Sequence, residues 1–143
     1  LLSFAPPEPR KRAMSTVSLL ASFTDEEAPV GALEVALECA DSAIAYRRLY
    51  AFALSRETVL EFLGFEADNP RSLRFVLDEI LEHVKALPTP DAPGRLSKPY
   101  SRMLRLNTDF AVQEPSTLTL EDLYRMREEL AGISDVLSST YMS

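Results

Sequence analysis

The sequence predicts an all-α protein, an antiparallel helical bundle of about five to six helices. Apolar residues recur three and four positions apart along nearly the whole chain, and no segment alternates convincingly at period two. Proline-containing stretches interrupt that pattern at spacings suited to short connections between neighbouring helices. The 143 residues, 46% of them apolar, can bury a core and suit one domain.

Residues 1–9 are linker-like, because each proline of Ala5-Pro6-Pro7-Glu8-Pro9 fixes its φ and lacks an amide donor. The chain does not begin with Met, and Leu1 to Phe4 reads as the tail of an earlier element. The expectation is that residues 1–143 form either a single helical domain or the carboxy-terminal part of a larger one.

A first helix is predicted over 10–23, with Met14, Val17, Leu20 and Ala21 at helical spacing and Arg10-Lys11-Arg12 as a solvated end. Thr24 to Pro29 breaks it and places carboxylates before the next helix, whose dipole they complement. That second helix is predicted over 30–52. Leu33, Leu37, Ala40, Ile44 and Ala51 line one face, while Val35, Cys39, Tyr46 and Tyr50 form a second stripe. A helix apolar on two faces is expected to be mostly buried. Asp41 and Arg48 fall on one edge of the first face and Arg47 on the other, where charges are expected to be paired.

Ser55 can cap a short third helix carrying Val59, Leu60, Phe62 and Leu63, which Gly64 would stop. A fourth should start at Pro70 behind an Asn69 cap and continue through Leu73, Val76, Leu77, Ile80, Leu81 and Val84. Residues 87–94 read as a loop, leading to a fifth helix over 98–112 that tolerates Pro99 only in its first turn. Thr119 and Asp122 begin a last helix, buried through Leu120, Leu123, Met126, Leu130, Ile133 and Leu137 and prolonged by Tyr141.

The net charge of −7 and pI near 4.8 argue against nucleic acid, which demands a surplus of Lys and Arg. No apolar run approaches the roughly 20 residues that span a bilayer, so no membrane is expected. Cys39, the sole cysteine, excludes an internal disulfide and reads as a small buried hydrophobe, with a reducing cytoplasm as the default location. His83 is the sole histidine and falls beside the core position Val84, where a surface or rim histidine is expected. There is no P-loop, no GxGxxG and no HExxH. Glu34, Glu38 and Asp41 lie on neighbouring turns, yet the favoured reading leaves both glutamates in solvent and Asp41 paired with an arginine. No metal and no cofactor are expected, and no catalytic residue is assigned.

The candidate binding residues are Asp41, Tyr46, Arg47, Arg48, Asp68, Asn69, Arg71 and Ser72. Asp68-Asn69-Pro70-Arg71-Ser72 forms a helix entrance, whose free amides and partial positive charge, joined by arginines, would suit a phosphate or carboxylate. The same residues can serve structure alone. Asp68 and Asn69 would then cap the helix, with Arg71 paired to Asp68 and Arg48 to Asp41.

In combination, Asp41-Ser42-Ala43-Ile44-Ala45-Tyr46-Arg47-Arg48-Leu49-Tyr50, Val59-Leu60-Glu61-Phe62-Leu63 and Asp68-Asn69-Pro70-Arg71-Ser72-Leu73 with Phe75 resemble the carboxy-terminal part of the bacterial alpha-E domain family, a domain of unknown function. The similarity is closest over 28–87 and extends loosely to Ile133-Ser134-Asp135-Val136-Leu137 and Tyr141-Met142. It implies an all-helical domain longer than this chain, encoded beside or fused to a circularly permuted ATP-grasp protein and often near a transglutaminase-like one. The family's glutamates lie in a motif of the type YWxGRYxERAE, and this sequence has neither that motif nor any tryptophan.

The function expected from the resemblance is an accessory or scaffolding domain in a peptide-ligating or peptide-modifying system, with an ATP-grasp ligase-type protein or its peptide as partner. Two alternatives stay open. One is an enzyme subunit whose Arg/Asp site handles acyl or phosphoryl groups. The other is a helical dimerisation module, so homo-oligomerisation stays open as well.

Overall fold

A computed structural model of the chain describes residues 9–25, 27–50, 54–87 and 97–141, with side chains of the last helix up to 137. The helices are α1 (Pro9–Thr24), α2 (Ala32–Cys39), α3 (Ala43–Tyr50), α4 (Arg56–Leu60), α5 (Leu73–Lys85), α6 (Lys98–Val112) and α7 (Leu120–Tyr141). No strand occurs among the described residues. The seven helices among the described residues slightly exceed the expected number because the second predicted helix divides in two.

Several starts are built as the sequence indicates. Ser55 Oγ accepts the Thr58 amide at 3.2 Å while the Ser55 amide donates to Thr58 Oγ1, a capping box that fixes α4. Thr119 and Asp122 exchange the same pair of bonds, at 3.0 and 3.1 Å, ahead of α7. Ser97 accepts from the Tyr100 amide, and Pro99 sits in the first turn of α6, where its missing amide costs nothing.

α1 packs against α5 and α7, α5 against α6, and α6 against α7, so these four close a ring. Leu20, Leu63, Leu77, Met103, Leu123 and Ile133 fill it at 1% exposure or less. Each buried side chain of this size contributes about 2 kcal/mol by leaving water. The π-helical turn Glu61–Phe65 extends α4 and supplies Leu63 to that core, while α2 and α4 lie along α1 outside the ring.

Four local expectations are corrected. The second helix breaks at residues 40–42, where Asp41 adopts φ +53°. The Ser42 amide donates to the Leu37 carbonyl at 2.8 Å and the Asp41 amide to Glu38 at 3.0 Å, a Schellman ending with aspartate in the position glycine usually fills. The pieces are consequently not mostly buried: Cys39, Val35, Ile44 and Leu49 are exposed. Ala51 and Phe52 lie outside the described residues.

Gly64 does not stop the third helix but lies buried inside the π turn, against Leu20, Leu60 and Phe110. α5 starts at Leu73 with Ser72 as its cap, because the Asn69 side chain is engaged elsewhere. Arg10-Lys11-Arg12 is not simply a solvated end. Arg10 donates to Ser134 Oγ at 2.8 Å and Arg12 pairs with Glu79, tying α1 to α7 and α5. Pro9 is already the first residue of α1; the rest of the linker-like segment, and the loop beyond Leu87, lie outside the described residues.

Candidate functional site

The helix entrance is assembled from the π turn outward. A π turn shifts the backbone register and leaves a carbonyl free for another donor. Asn69 Nδ2 donates to the Phe62 carbonyl at 3.0 Å, and Asn69 Oδ1 accepts the Arg71 amide at 3.1 Å. Ser72 Oγ donates to the Glu66 carbonyl at 2.6 Å and accepts the Phe75 amide at 3.1 Å. Asn69 and Ser72 are buried, and these bonds fasten the π turn to the start of α5.

The α3 block divides by face. Tyr46 is buried, stacks on Tyr50 at 4.8 Å between ring centroids, meets Phe62 edge-on, and hydrogen-bonds Thr58 Oγ1 through its hydroxyl. Burial, followed by the fields of Glu61 and Glu66, pushes the Tyr50 phenol above its ordinary range. Arg47 and Arg48 point outward from the same two turns, flanked by Ile44 and Leu49.

The eight sequence-derived site residues therefore separate into two groups. Tyr46, Asn69 and Ser72 are buried and bonded within the fold, whereas Asp41, Arg47, Arg48, Asp68 and Arg71 face solvent. The ion pair that forms is Arg71 Nη2 with Asp41 Oδ2 at 3.5 Å, between two exposed side chains. The expected pairs of Arg48 with Asp41 and of Arg71 with Asp68 are not made. The break at Asp41 turns α3 away from the helical face that a straight helix would have shared.

Beside Arg71 an open cleft of about 630 Å³ runs between α1, the end of α2 and the α5 entrance, lined by Arg12, Ser15, Cys39, Pro70, Arg71 and Val76. The sequence reading missed a second groove, about 580 Å³, between α6 and α7. Leu106, Phe110, Leu118 and Met126 contribute its apolar lining and Arg102, Asp109 and Arg125 part of its charged lining. Arg102 Nε donates to Glu129 at 2.9 Å, which raises the guanidinium pKa, and its tip lies over Gly132, where a Cβ would stand only 2.5 Å away. The available signal was the i, i+4 pair Leu106 and Phe110 interleaved with Arg102, Arg105 and Asp109.

Among the described residues no group of three or more His, Cys, Asp and Glu side chains could hold a metal ion. Glu34 and Glu38 face solvent, as does His83. No described helix is long and apolar enough to cross a membrane.

With this geometry in place, comparison with known proteins gives one family. The sequence pattern of Alpha-E, described as a predicted alpha-helical domain with a conserved ER motif, matches residues 11–142. No Glu-Arg dipeptide occurs in the 143 residues. The chain is similar to uncharacterized proteins of Mycobacterium tuberculosis (strains H37Rv and CDC 1551) and Mycobacterium bovis. It is 28% identical to each over 122 residues, which cover 78% of this chain and 14% of the relative. It thus spans about a seventh of the length of the curated relatives it matches. No solved structure matches it.

Proposed function

The chain belongs to the Alpha-E family, and from that premise we propose that it is a non-catalytic accessory domain that binds an ATP-grasp ligase-type protein, or that ligase's peptide substrate, in the bacterial cytoplasm. The observation that carries the reading is the division of labour at the helix entrance. Asn69, Ser72 and Tyr46 are consumed in holding the corner rigid, and Asp41, Arg47, Arg48, Asp68 and Arg71 are presented on its outside.

Such a corner suits recognition of carboxylates. Arg71 stands at the rim of the 630 Å³ cleft with a planar fork of donors, and its contact with Asp41 joins two exposed groups. Exposed pairs of this kind contribute about 0–1 kcal/mol, so a partner's carboxylate can take the guanidinium at small cost.

Co-purification with an ATP-grasp-type protein from the same organism tests the reading. Binding that weakens in Arg71→Glu, with the far-ultraviolet circular dichroism unchanged, supports it. No interaction, either for this chain or for a longer polypeptide that contains it, refutes it.

A further inference from the structure

The break at Asp41 leaves amphipathic surfaces of opposite charge on two consecutive helices. The outer face of α2 carries Glu34, Val35, Glu38 and Cys39, while that of α3 carries Ile44, Arg47 and Arg48, with Leu49 exposed at its flank. Residues three and four apart share a helix face, so Glu34 and Glu38 stack along α2, as Ile44 does with Arg47 and Arg48 along α3. Val35, Ile44 and Leu49 are 60%, 71% and 65% exposed, large values for aliphatic side chains on adjacent elements. No ion pair among the described residues engages Glu34, Glu38, Arg47 or Arg48.

Both helices turn their other faces inward. Ala36 and Leu37 of α2 are buried where it packs on α1 and α4, and Tyr46 of α3 is buried against Phe62. The charged and aliphatic faces are thus left on the outside, with no neighbour among the described residues.

We propose that this pair of faces is the contact surface of a two-fold symmetric dimer, in which α3 of one copy lies on α2 of its partner and the reverse. A two-fold axis presents the same patch on both sides, so a patch with an acidic half and a basic half is complementary to itself. Arg47 and Arg48 then meet Glu34 and Glu38 of the second copy twice over, with Val35 and Ile44 enclosed between them. An acidic peptide would satisfy α3 alone and leave Val35 in water beside like charges. The chain's net charge of −7 repels a second copy in most orientations, and pairing the arginines of α3 with the glutamates of α2 offsets that repulsion at the contact. This proposal stands apart from the ligase reading, since its test needs no other protein.

Sedimentation velocity over a concentration series tests it with two charge-reversed variants, Arg47→Glu/Arg48→Glu and Glu34→Lys/Glu38→Lys, each checked for unchanged helicity. The expected result is a wild-type dimer, a loss of about a hundredfold or more in self-association for each variant, and recovery of the dimer when the two variants are mixed. A chain carrying all four reversals should dimerise by itself, which separates lost complementarity from lost folding. A wild-type chain that stays monomeric at its highest soluble concentration overturns the proposal, including the case in which the variants fail only to bind the ligase. So does a dimer that neither variant weakens.

Discussion

Exchanging Asn69 for aspartate changes one nitrogen to oxygen, and the entrance geometry makes that change expensive in a pH-dependent way. Asn69 is 8% exposed, its Nδ2 is the donor to the Phe62 carbonyl, and its Oδ1 receives the Arg71 amide. Asn69→Ala forfeits both bonds and strands the Phe62 carbonyl, a loss of about 2 kcal/mol. Unfolding entropy near 2.1 cal/mol/K per residue gives about 0.3 kcal/mol/K for 143 residues, so the melting temperature should fall by about 7 °C. Asn69→Asp retains the acceptor for Arg71 but at neutral pH sets a carboxylate oxygen against the Phe62 carbonyl. That repulsion and desolvation should outweigh the retained bond and bring the total loss to about 3–4 kcal/mol, a drop of about 10–13 °C.

Burial and the facing carbonyl raise the folded carboxyl pKa above its unfolded value of about 3.9. The acid form can donate to Phe62, so its contribution is fully present below the unfolded pKa and is lost as pH rises through the folded one. Thermal melts of both variants at neutral pH and near pH 4 provide the assay, with the alanine variant cancelling the acid sensitivity of the rest of the chain. Asn69→Asp should melt below Asn69→Ala at neutral pH and close the gap in acid. A gap that does not change with pH, or an aspartate variant as stable as the alanine one at neutral pH, refutes the assigned hydrogen bond.

The Asp41 position should discriminate by backbone freedom alone. At φ +53° Asp41→Gly should raise stability by up to about 1 kcal/mol, while Asp41→Val should lower it by about 1–2 kcal/mol, and the reverse order in thermal melts would remove the Schellman ending. Tyr50 should titrate above the ordinary tyrosine range in ultraviolet absorbance, and Glu66→Gln should bring it down. Because its folded pKa is raised, the stability it contributes is complete below the unfolded value near 10 and is lost as pH rises through the folded one. Tyr50→Phe should therefore flatten the alkaline fall in stability, and an unchanged alkaline midpoint would show that the phenol is not buried as described.

The bundle was legible because its signals are local and repeated. Leu73, Val76, Leu77, Ile80 and Val84 lie on one face whatever the rest of the chain does, and Ser55 and Thr119 cap where their neighbours require it. The π turn was not legible. Gly64 next to an apolar run is an ordinary stop signal, and only the packing of Leu63 and Gly64 into the ring, with Asn69 reaching back to Phe62, makes continuation the better choice. The candidate site was half legible for the same reason. Residue types suited to recognition were visible, but whether Asn69 and Ser72 face a ligand or a carbonyl depends on a turn the sequence hid.

Asp41 explains the largest departure, and it links the structural and functional readings. In one straight helix Val35, Cys39, Tyr46 and Tyr50 would share a stripe, each at a multiple of about 100° per residue. In the structure Val35 and Cys39 are outside and Tyr46 is inside, while Leu37 is inside and Ile44 outside. The buried faces of α2 and α3 are thus out of phase by about 100°, the rotation of one residue, and the slip occurs where Asp41 is left-handed. Had the helix continued, Arg48 would have stayed beside Asp41 on the edge of a buried face and the two charges would have neutralised each other. The slip places Arg47 and Arg48 in solvent next to Ile44 and Leu49, and it leaves Asp41 to Arg71. Asp41 therefore acts on the candidate site first through its backbone: its φ decides which side chains the surface presents, and its carboxylate adds only an exposed ion pair.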